Sequence, residues 1–252
     1  MKLNNKFAQR LVLCAAPLVT GSVLVALPGL AATLATSTGG VGFNNFSHNP
    51  QDTQTGAFTD TLAIANGSQV TADAGADAAF IVDNTNPART EAFHAGGTIV
   101  QGSGKDYTGR ADSNARLAGY NFNVGSGETL SFDFSGFLGL NTSYDYEEEA
   151  TNAFGTVAFQ LFDVTNANTA PVFLDYFTIF GEVNSENNFD FLNTDKSANV
   201  ALNSTEMTSF GGDQEVAQSS FLGKFSRLFE RAASVVLVAF NTNSSGASCS
   251  IR

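Results

Sequence analysis

Apolar and polar side chains alternate along most of the chain after residue 35. In the stretch LSFDF, Leu130, Phe132 and Phe134 are apolar, and Ser131 and Asp133 lie between them. Successive side chains of a β-strand point to opposite faces, so this pattern predicts a strand with one buried and one wet face. We therefore interpret Asp133 as a surface residue and not as a catalytic or metal-binding carboxylate, since no neighbour in sequence offers a partner that would shift its pKa.

The same period of two predicts further strands. It recurs in the segments 68–83, 117–124, 155–164 and 172–180, and the run SVVLVAFN at 234–241 is continuously apolar. Turn sequences separate these runs, beginning near Asn66, Asn84, Gly102, Gly125, Val164, Val183 and Gly211. Short strands joined by turns, without crossover helices, predict an all-β fold, an antiparallel β-sandwich or jelly-roll-like domain.

One segment fits two structures. In SFLGKFSRLFERA, residues 220–232, the apolar positions share a helical face. A strand would place Phe221, Phe225 and Phe229 on one side, but Arg227 would join them there. Because strand-like sequences precede and follow the segment, we favour a strand.

The N-terminus has the order of a secretory signal peptide. Lys2, Lys6 and Arg10 precede an uncharged apolar run, which ends at Pro28 and Gly29 before small residues. We expect a signal peptide over residues 1–32, cleaved between Ala31 and Ala35, and an uncleaved membrane anchor is the alternative. One domain should then span residues 33–252, with a flexible C-terminal tail from about residue 242.

Net charge and cysteine content exclude some binding partners and an intramolecular disulfide. Without the three basic residues of the signal peptide, nine basic residues remain against 24 acidic ones, a net charge of −15. Such a polyanion will not attract nucleic acid or an anionic lipid surface, and we expect no stable membrane span after cleavage. Only Cys249 remains, so an intramolecular disulfide is excluded and the core must hold the domain together.

Candidate catalytic groups are few. The sequence has two histidines, His48 and His94, and no Gly-x-Ser-x-Gly nucleophile motif. His94 lies in EAFHAGG, which indicates a surface histidine beside a glycine turn. Too few Cys and His residues are present for a structural zinc site.

Carboxylates are the plentiful reactive groups, in the clusters Asp145–Glu149 and Asp190–Asp195. Asp190, Asn193 and Asp195, in a segment that reads as a loop, are the best calcium candidates. Neither cluster has the ligand spacing or the glycine of a compact calcium loop, so we expect solvated acidic loops and no metal or other cofactor. A glycoside hydrolase would need two carboxylates around a cleft, and no such pair can be chosen from the sequence.

Several stretches resemble cyanobacterial secreted proteins of the PEP-CTERM type: FNNFSHNP, AGYNFNVGSGETLSFDFSGFLGL, FQLFD, LDYFTIFG and GKFSRLFE. The resemblance covers about Val41 to Asn241 and rests on similar strands. It implies a secreted β-sandwich associated with the cell surface or matrix, without a known activity. The Pro-Glu-Pro sorting tail of those relatives is missing here, where the sequence ends NTNSSGASCSIR.

These observations together predict a secreted, acidic, non-catalytic β-sandwich of the cell surface or extracellular matrix, with a structural or adhesive role. Its expected partners are extracellular polysaccharide or other surface proteins. Two alternatives stay open: a calcium-assisted carbohydrate-binding module, and a hydrolase that uses paired carboxylates.

Overall fold

The computed structural model describes residues 32–186 and 189–250, which form two β-sheets packed face to face. The signal peptide predicted for residues 1–32 lies almost wholly outside the described residues and stays a prediction. No helix within these two ranges is both long and apolar enough to cross a bilayer. The described elements, in chain order, are β1 Ala32–Asn44, β2 Asp52–Ala65, β3 Gln69–Ile81, a 3₁₀ helix Pro87–Arg89, β4 Glu91–Ser103, β5 Tyr107–Val124, β6 Glu128–Ser143, β7 Glu149–Asp163, β8 Val172–Asn184, β9 Phe191–Lys196, β10 Val200–Ser209, β11 Gln214–Phe229 and β12 Ala233–Cys249.

Among the described residues, each sheet has six strands. The first sheet has the order β10-β11-β6-β1-β4-β3, and the second has the order β2-β5-β12-β7-β8-β9. All neighbouring strands pair antiparallel. The prediction of an all-β antiparallel sandwich is therefore confirmed.

The core between the sheets is built largely from phenylalanine. Leu130, Phe132 and Phe134 of β6 are at most 2% exposed, as the alternation predicted. The Phe132 ring lies 5.4 Å from Phe159 of the opposite sheet and 5.0 Å from Phe225 of β11. Asp133 points outward and accepts a hydrogen bond from Asn45, so it is a surface residue.

The turns form where glycine and asparagine predicted them. The connections β2–β3, β4–β5, β5–β6 and β10–β11 contain Gly67, Gly104, Gly127 and Gly211, all with positive φ. Other residues adopt this backbone region only with strain. The β10–β11 connection forms a hairpin within the first sheet, whereas the other three connections cross from one sheet to the other.

The ambiguous segment 220–232 lies mostly in a strand. It forms the second half of β11, and Phe221, Phe225 and Phe229 are buried on one side. Arg227 shares that side, and it reaches across to Asp175 of β8 in the other sheet, with 2.7 Å between Nη1 and Oδ2. The charge on the apolar side is thus paired, which removes the objection to a strand.

The prediction of a flexible C-terminal tail from about residue 242 is wrong. β12 continues to Cys249 and pairs with β5 on one side and β7 on the other. Its inward residues Asn241, Asn243 and Ser245 are 0% exposed. The polar sequence suggested exposure, but these side chains find partners inside, as buried polar groups usually do.

That buried polar layer links the two sheets. Asn243 Nδ2 donates to Ser113 Oγ at 3.2 Å, and Ser37 Oγ donates to Asn243 Oδ1 at 3.1 Å. Asn241 Nδ2 donates to the Gly39 carbonyl at 3.0 Å. Along β12 this polar layer lies between the large phenylalanine-rich cluster and a small apolar cluster of Val100, Tyr107, Ala111, Ala247 and Cys249.

Candidate functional site

Two of the three calcium candidates do not lie in a loop. Asn193 and Asp195 are in strand β9, and Asp190 immediately precedes it. Asp190 and Asp195 are five positions apart in extended chain, about 16 Å, which is too far for both to bind one ion. Over residues 32–186 and 189–250, no group of three His, Cys, Asp or Glu side chains is arranged to hold a metal.

Asp190 instead pairs with Glu215, a contact that the sequence did not reveal. Asp190 Oδ1 accepts a hydrogen bond from the Asn184 backbone at 2.8 Å, and its side chain is hydrogen-bonded to Glu215. Glu215 is 2% exposed, and burial raises its pKa, with the nearby Asp190 charge adding to the effect. Carboxyl groups in direct contact are closer than the ~5 Å or more that glycoside hydrolysis requires.

The other acidic cluster is only partly solvated. Glu149 is 4% exposed and accepts hydrogen bonds from the backbone of Asp145 at 2.9 Å and of Tyr146 at 3.2 Å. The Tyr107 hydroxyl also donates to it, at 3.3 Å, and burial raises the pKa of Tyr107, which keeps this hydroxyl protonated. For Glu149 the expectation of a solvated loop is wrong, because the carboxylate organises the turn before β7.

His94 is not a surface histidine. The glycines after it continue β4, so the alternation of the strand turns His94 inward, where it is 1% exposed and 6.3 Å from the Phe43 ring. Neither ring nitrogen has a hydrogen-bond partner among the described residues. Burial lowers the pKa of His94 to about 3, and a contact with the Asn241 side chain, which does not have the geometry of a hydrogen bond, offsets this only in part.

His48 lies elsewhere, near the β5–β6 connection, with Nε2 3.1 Å from Glu128 Oε2. Its Nδ1 lies 2.9 Å from the Ser47 hydroxyl. The chain of Ser47, His48 and Glu128 is exposed, and the serine also donates to the Thr129 carbonyl. These contacts tie the segment after β1 to β6.

The outer surface of the second sheet carries the feature of most functional interest, a group of aromatic rings that we call the aromatic face. Phe162, Phe173 and Tyr176 form a row, with centroid distances of 5.6 Å and 5.8 Å between successive rings. Beside this row, Phe180 of β8 and Phe191 of β9 are 5.6 Å apart. These side chains point away from the core and are only partly covered by one another, and Phe173 is 50% exposed.

A β-bulge puts Phe173 on this face. The register of β7 with β8 shifts between Leu161 and Phe162, so that Phe162 pairs with Phe173 and Leu174 turns toward the core. Strict alternation had placed Phe173 with the inward residues of β8. Bulges redirect side chains in this way, and they recur beside functional sites.

Tyr176 is held in place by one of the calcium candidates. Its hydroxyl donates to Asp195 Oδ2 at 2.9 Å across the β8–β9 pair, and this hydrogen bond raises the pKa of Tyr176. The ring is therefore oriented along the row, with a carboxylate at its rim. Asp195 therefore orients Tyr176 of the aromatic face, and it does not form a common site with Asp190.

The arrangement suits contact with a flat surface more than enclosure of a small molecule. Aromatic rings bury large areas, and a tyrosine adds a polar edge. A depression of about 370 Å³ lies at the end of the sandwich among Asn123, Val124, Gly125, Thr165, Ala232, Ala233 and Ser234. None of these lining residues is ionisable, so the carboxylates and histidines described above do not contribute to this depression.

Sequence signals for the aromatic face were present in part. The segment 172–180 was apolar on both faces, and Phe162 follows the alternating run Val157, Phe159 and Leu161 out of phase. A phenylalanine on the outward side of a strand is the detectable signal, whereas the bulge is not.

Comparisons with known proteins give no relative for this chain. A scan against protein-family models finds no matching family, and searches of curated proteins and of solved structures find no significant match.

Proposed function

We propose that this chain is a secreted, non-catalytic β-sandwich of the cell surface or extracellular matrix, and that it acts by adhesion through the aromatic face. The row of Phe162, Phe173 and Tyr176 on an open sheet surface is the observation that carries the proposal. Exposed clusters of large apolar side chains in soluble proteins mark interaction sites. The signal-like N-terminus and the resemblance to PEP-CTERM-type proteins support the proposed location.

The absence of catalysis is part of this proposal. Asp190 is hydrogen-bonded to the buried Glu215, and Glu149 accepts hydrogen bonds from three donors. Such carboxylates fit structural roles better than a hydrolase mechanism that needs a cleft and a water between two acids.

Carbohydrate binding is the second candidate, and the aromatic face favours it. Sugar rings have apolar faces that pack on aromatic side chains, and Asp195 with the Tyr176 hydroxyl offers hydrogen-bonding groups at the edge of the row. In this version calcium has no role, because Asp190, Asn193 and Asp195 do not converge.

Binding of the purified chain to the extracellular polysaccharide fraction of the producing cells, and to cellulose, tests both candidates. Phe173→Ala with Tyr176→Ala should reduce the bound fraction at least severalfold. Leu222→Ala with Leu228→Ala is the matched control, because these residues are 64% and 61% exposed on the outer surface of the first sheet. Equal binding by all variants would refute adhesion through the aromatic face, and release of soluble sugar would favour the hydrolase.

A further inference from the structure

Strand β2 is a long, exposed sheet edge. It pairs with β5 in an unbroken register from Asp52–Tyr120 to Ala65–Tyr107. Every one of its residues except Thr53 is exposed. In an antiparallel pair, alternate residues direct their N–H and C=O groups away from the neighbour, and within the described residues no strand pairs with this free side of β2.

The other three edges carry features that discourage pairing. β9 is six residues long and ends in Asp195 and Lys196. β3 carries Asp73 and Asp77, and β10 carries Glu206, which accepts a hydrogen bond from Thr194 of β9. Short length and charge are the usual means by which proteins prevent sheets from joining edge to edge.

β2 also carries two acidic residues, Asp52 and Asp60, but its outer face differs from those of the other edges because it is largely apolar. The strand is 14 residues long, contains no proline, lysine or arginine, and shows no bulge against β5. Phe58, Leu62 and Ile64 project from its outer face and are 65%, 49% and 59% exposed. A long, flat, apolar edge of this kind is a template for another strand.

We propose that β2 pairs antiparallel with β2 of a second copy of this chain, which joins the two second sheets into one continuous sheet. A two-fold axis perpendicular to the sheet generates this contact, so residues on the same face must lie opposite each other. The axis passes through Phe58, which places the two Phe58 rings side by side and overlaps residues 52–64 of both copies.

The charges and side chains of β2 select this register. Asp60 lies opposite Gly56 of the second copy, and Asp52 lies opposite Ile64, so no two carboxylates meet. A shift of two residues per strand in one direction would set Asp52 against Asp60, and the same shift in the other direction would set Asp60 against its own copy. A shift of one residue per strand can keep an overlap of the same length. It would set Asp60 opposite Phe58 and would lose the favourable pairing of the two Phe58 rings.

Sedimentation equilibrium of the purified chain gives the first test. We expect twice the mass of one chain, and we expect Phe58→Lys to give the single-chain mass, because two lysines would then face each other. Leu222→Lys is the control, since Leu222 is 64% exposed and lies on the other sheet, and it should stay dimeric. A wild-type mass of one chain, or a dimer that Phe58→Lys leaves intact, would overturn the proposal.

Cysteine crosslinking tests the register itself. Phe58→Cys should form a disulfide-linked dimer under mild oxidation, because the two Cβ atoms would lie about 5 Å apart. Leu62→Cys should not, because its copies would be eight residues apart along the strand, about 27 Å. Adding Gln54→Cys to Leu62→Cys should restore the crosslink, and equal crosslinking of both single variants would contradict the register. Neither assay depends on the aromatic face, so this proposal and the adhesive function can fail separately.

Discussion

Arg227 of β11 and Asp175 of β8 form an ion pair across the two sheets, with 2.7 Å between Nη1 and Oδ2. Asp175 is 2% exposed, and it also accepts a hydrogen bond from Asn199 at 3.0 Å. The guanidinium carbon lies 5.5 Å from the Phe229 ring centroid. The pair therefore binds the sheets together at a position where both strands otherwise present apolar residues.

Removal of one partner of this ion pair should be costly. We expect Arg227→Met to lower the free energy of unfolding by about 3 kcal/mol, because it leaves the Asp175 charge buried and without its cation. The double variant Asp175→Leu with Arg227→Met should recover most of that loss. Urea unfolding measures both.

Lys224→Met is the matched control for the ion pair. Lys224 lies 3.9 Å from Asp133 with both side chains well exposed, so its loss should cost at most about 0.5 kcal/mol. Equal effects of Arg227→Met and Lys224→Met would show that the Asp175 pair does not join the sheets as described.

The two faces of β6 should respond differently to truncation. Phe132→Ala should lower stability by about 3–5 kcal/mol, because the ring is 1% exposed and packs on Phe159 and Phe225. Asp133→Ala should change stability by about 0.5 kcal/mol or less. Chemical denaturation decides this, and a larger effect of the aspartate would invert the face assignment.

The sequence predicts which face of a strand is buried where apolar and polar residues alternate strictly. It does not predict the arrangement of the side chains that form the aromatic face or the buried polar layer. Phe132 and Asp133 followed directly from a period of two. Phe173 did not, because a bulge in β8 depends on pairing with β7, which is a nonlocal property. The sequence predicts a flexible tail at Asn243 and its polar neighbours, because it does not show the partners that satisfy these amides when they are buried.

His94 should make the fold sensitive to acid. Its pKa is lowered to about 3 in the folded state, so between that value and the usual ~6.5 the unfolded chain binds a proton that the folded chain does not. Stability should therefore fall with decreasing pH, by as much as ~1.4 kcal/mol per pH unit below pH 6.5. Unfolding measured from pH 7.5 to 5 tests this before most carboxylates titrate.

His94→Phe should remove most of that slope, whereas His48→Gln should keep it. Glu215 acts in the opposite direction, since its raised pKa makes folding more favourable as the pH falls. The comparison between variants isolates His94 from that contribution. Identical pH profiles for His94→Phe and the unchanged chain would contradict the buried, neutral imidazole.

Calcium should not stabilise the fold specifically. Asp190 is committed to Glu215 and the Asn184 backbone, and Asp195 is committed to Tyr176. Thermal melts with calcium, with magnesium and with chelator, at equal ionic strength, should give the same Tm. A rise with calcium alone that Asp190→Asn and Asp195→Asn abolish would establish a metal site and favour the calcium-assisted binding module.

Hydroxyl-radical footprinting of the chain bound to the isolated extracellular polysaccharide fraction tests the adhesive surface most directly. Oxidation of Phe173 and Tyr176 should drop on binding, because the proposed contact covers the aromatic face. Oxidation of Leu222 and Leu228, on the opposite sheet, should stay unchanged. Protection of those leucines without protection of Phe173 and Tyr176 would contradict the account.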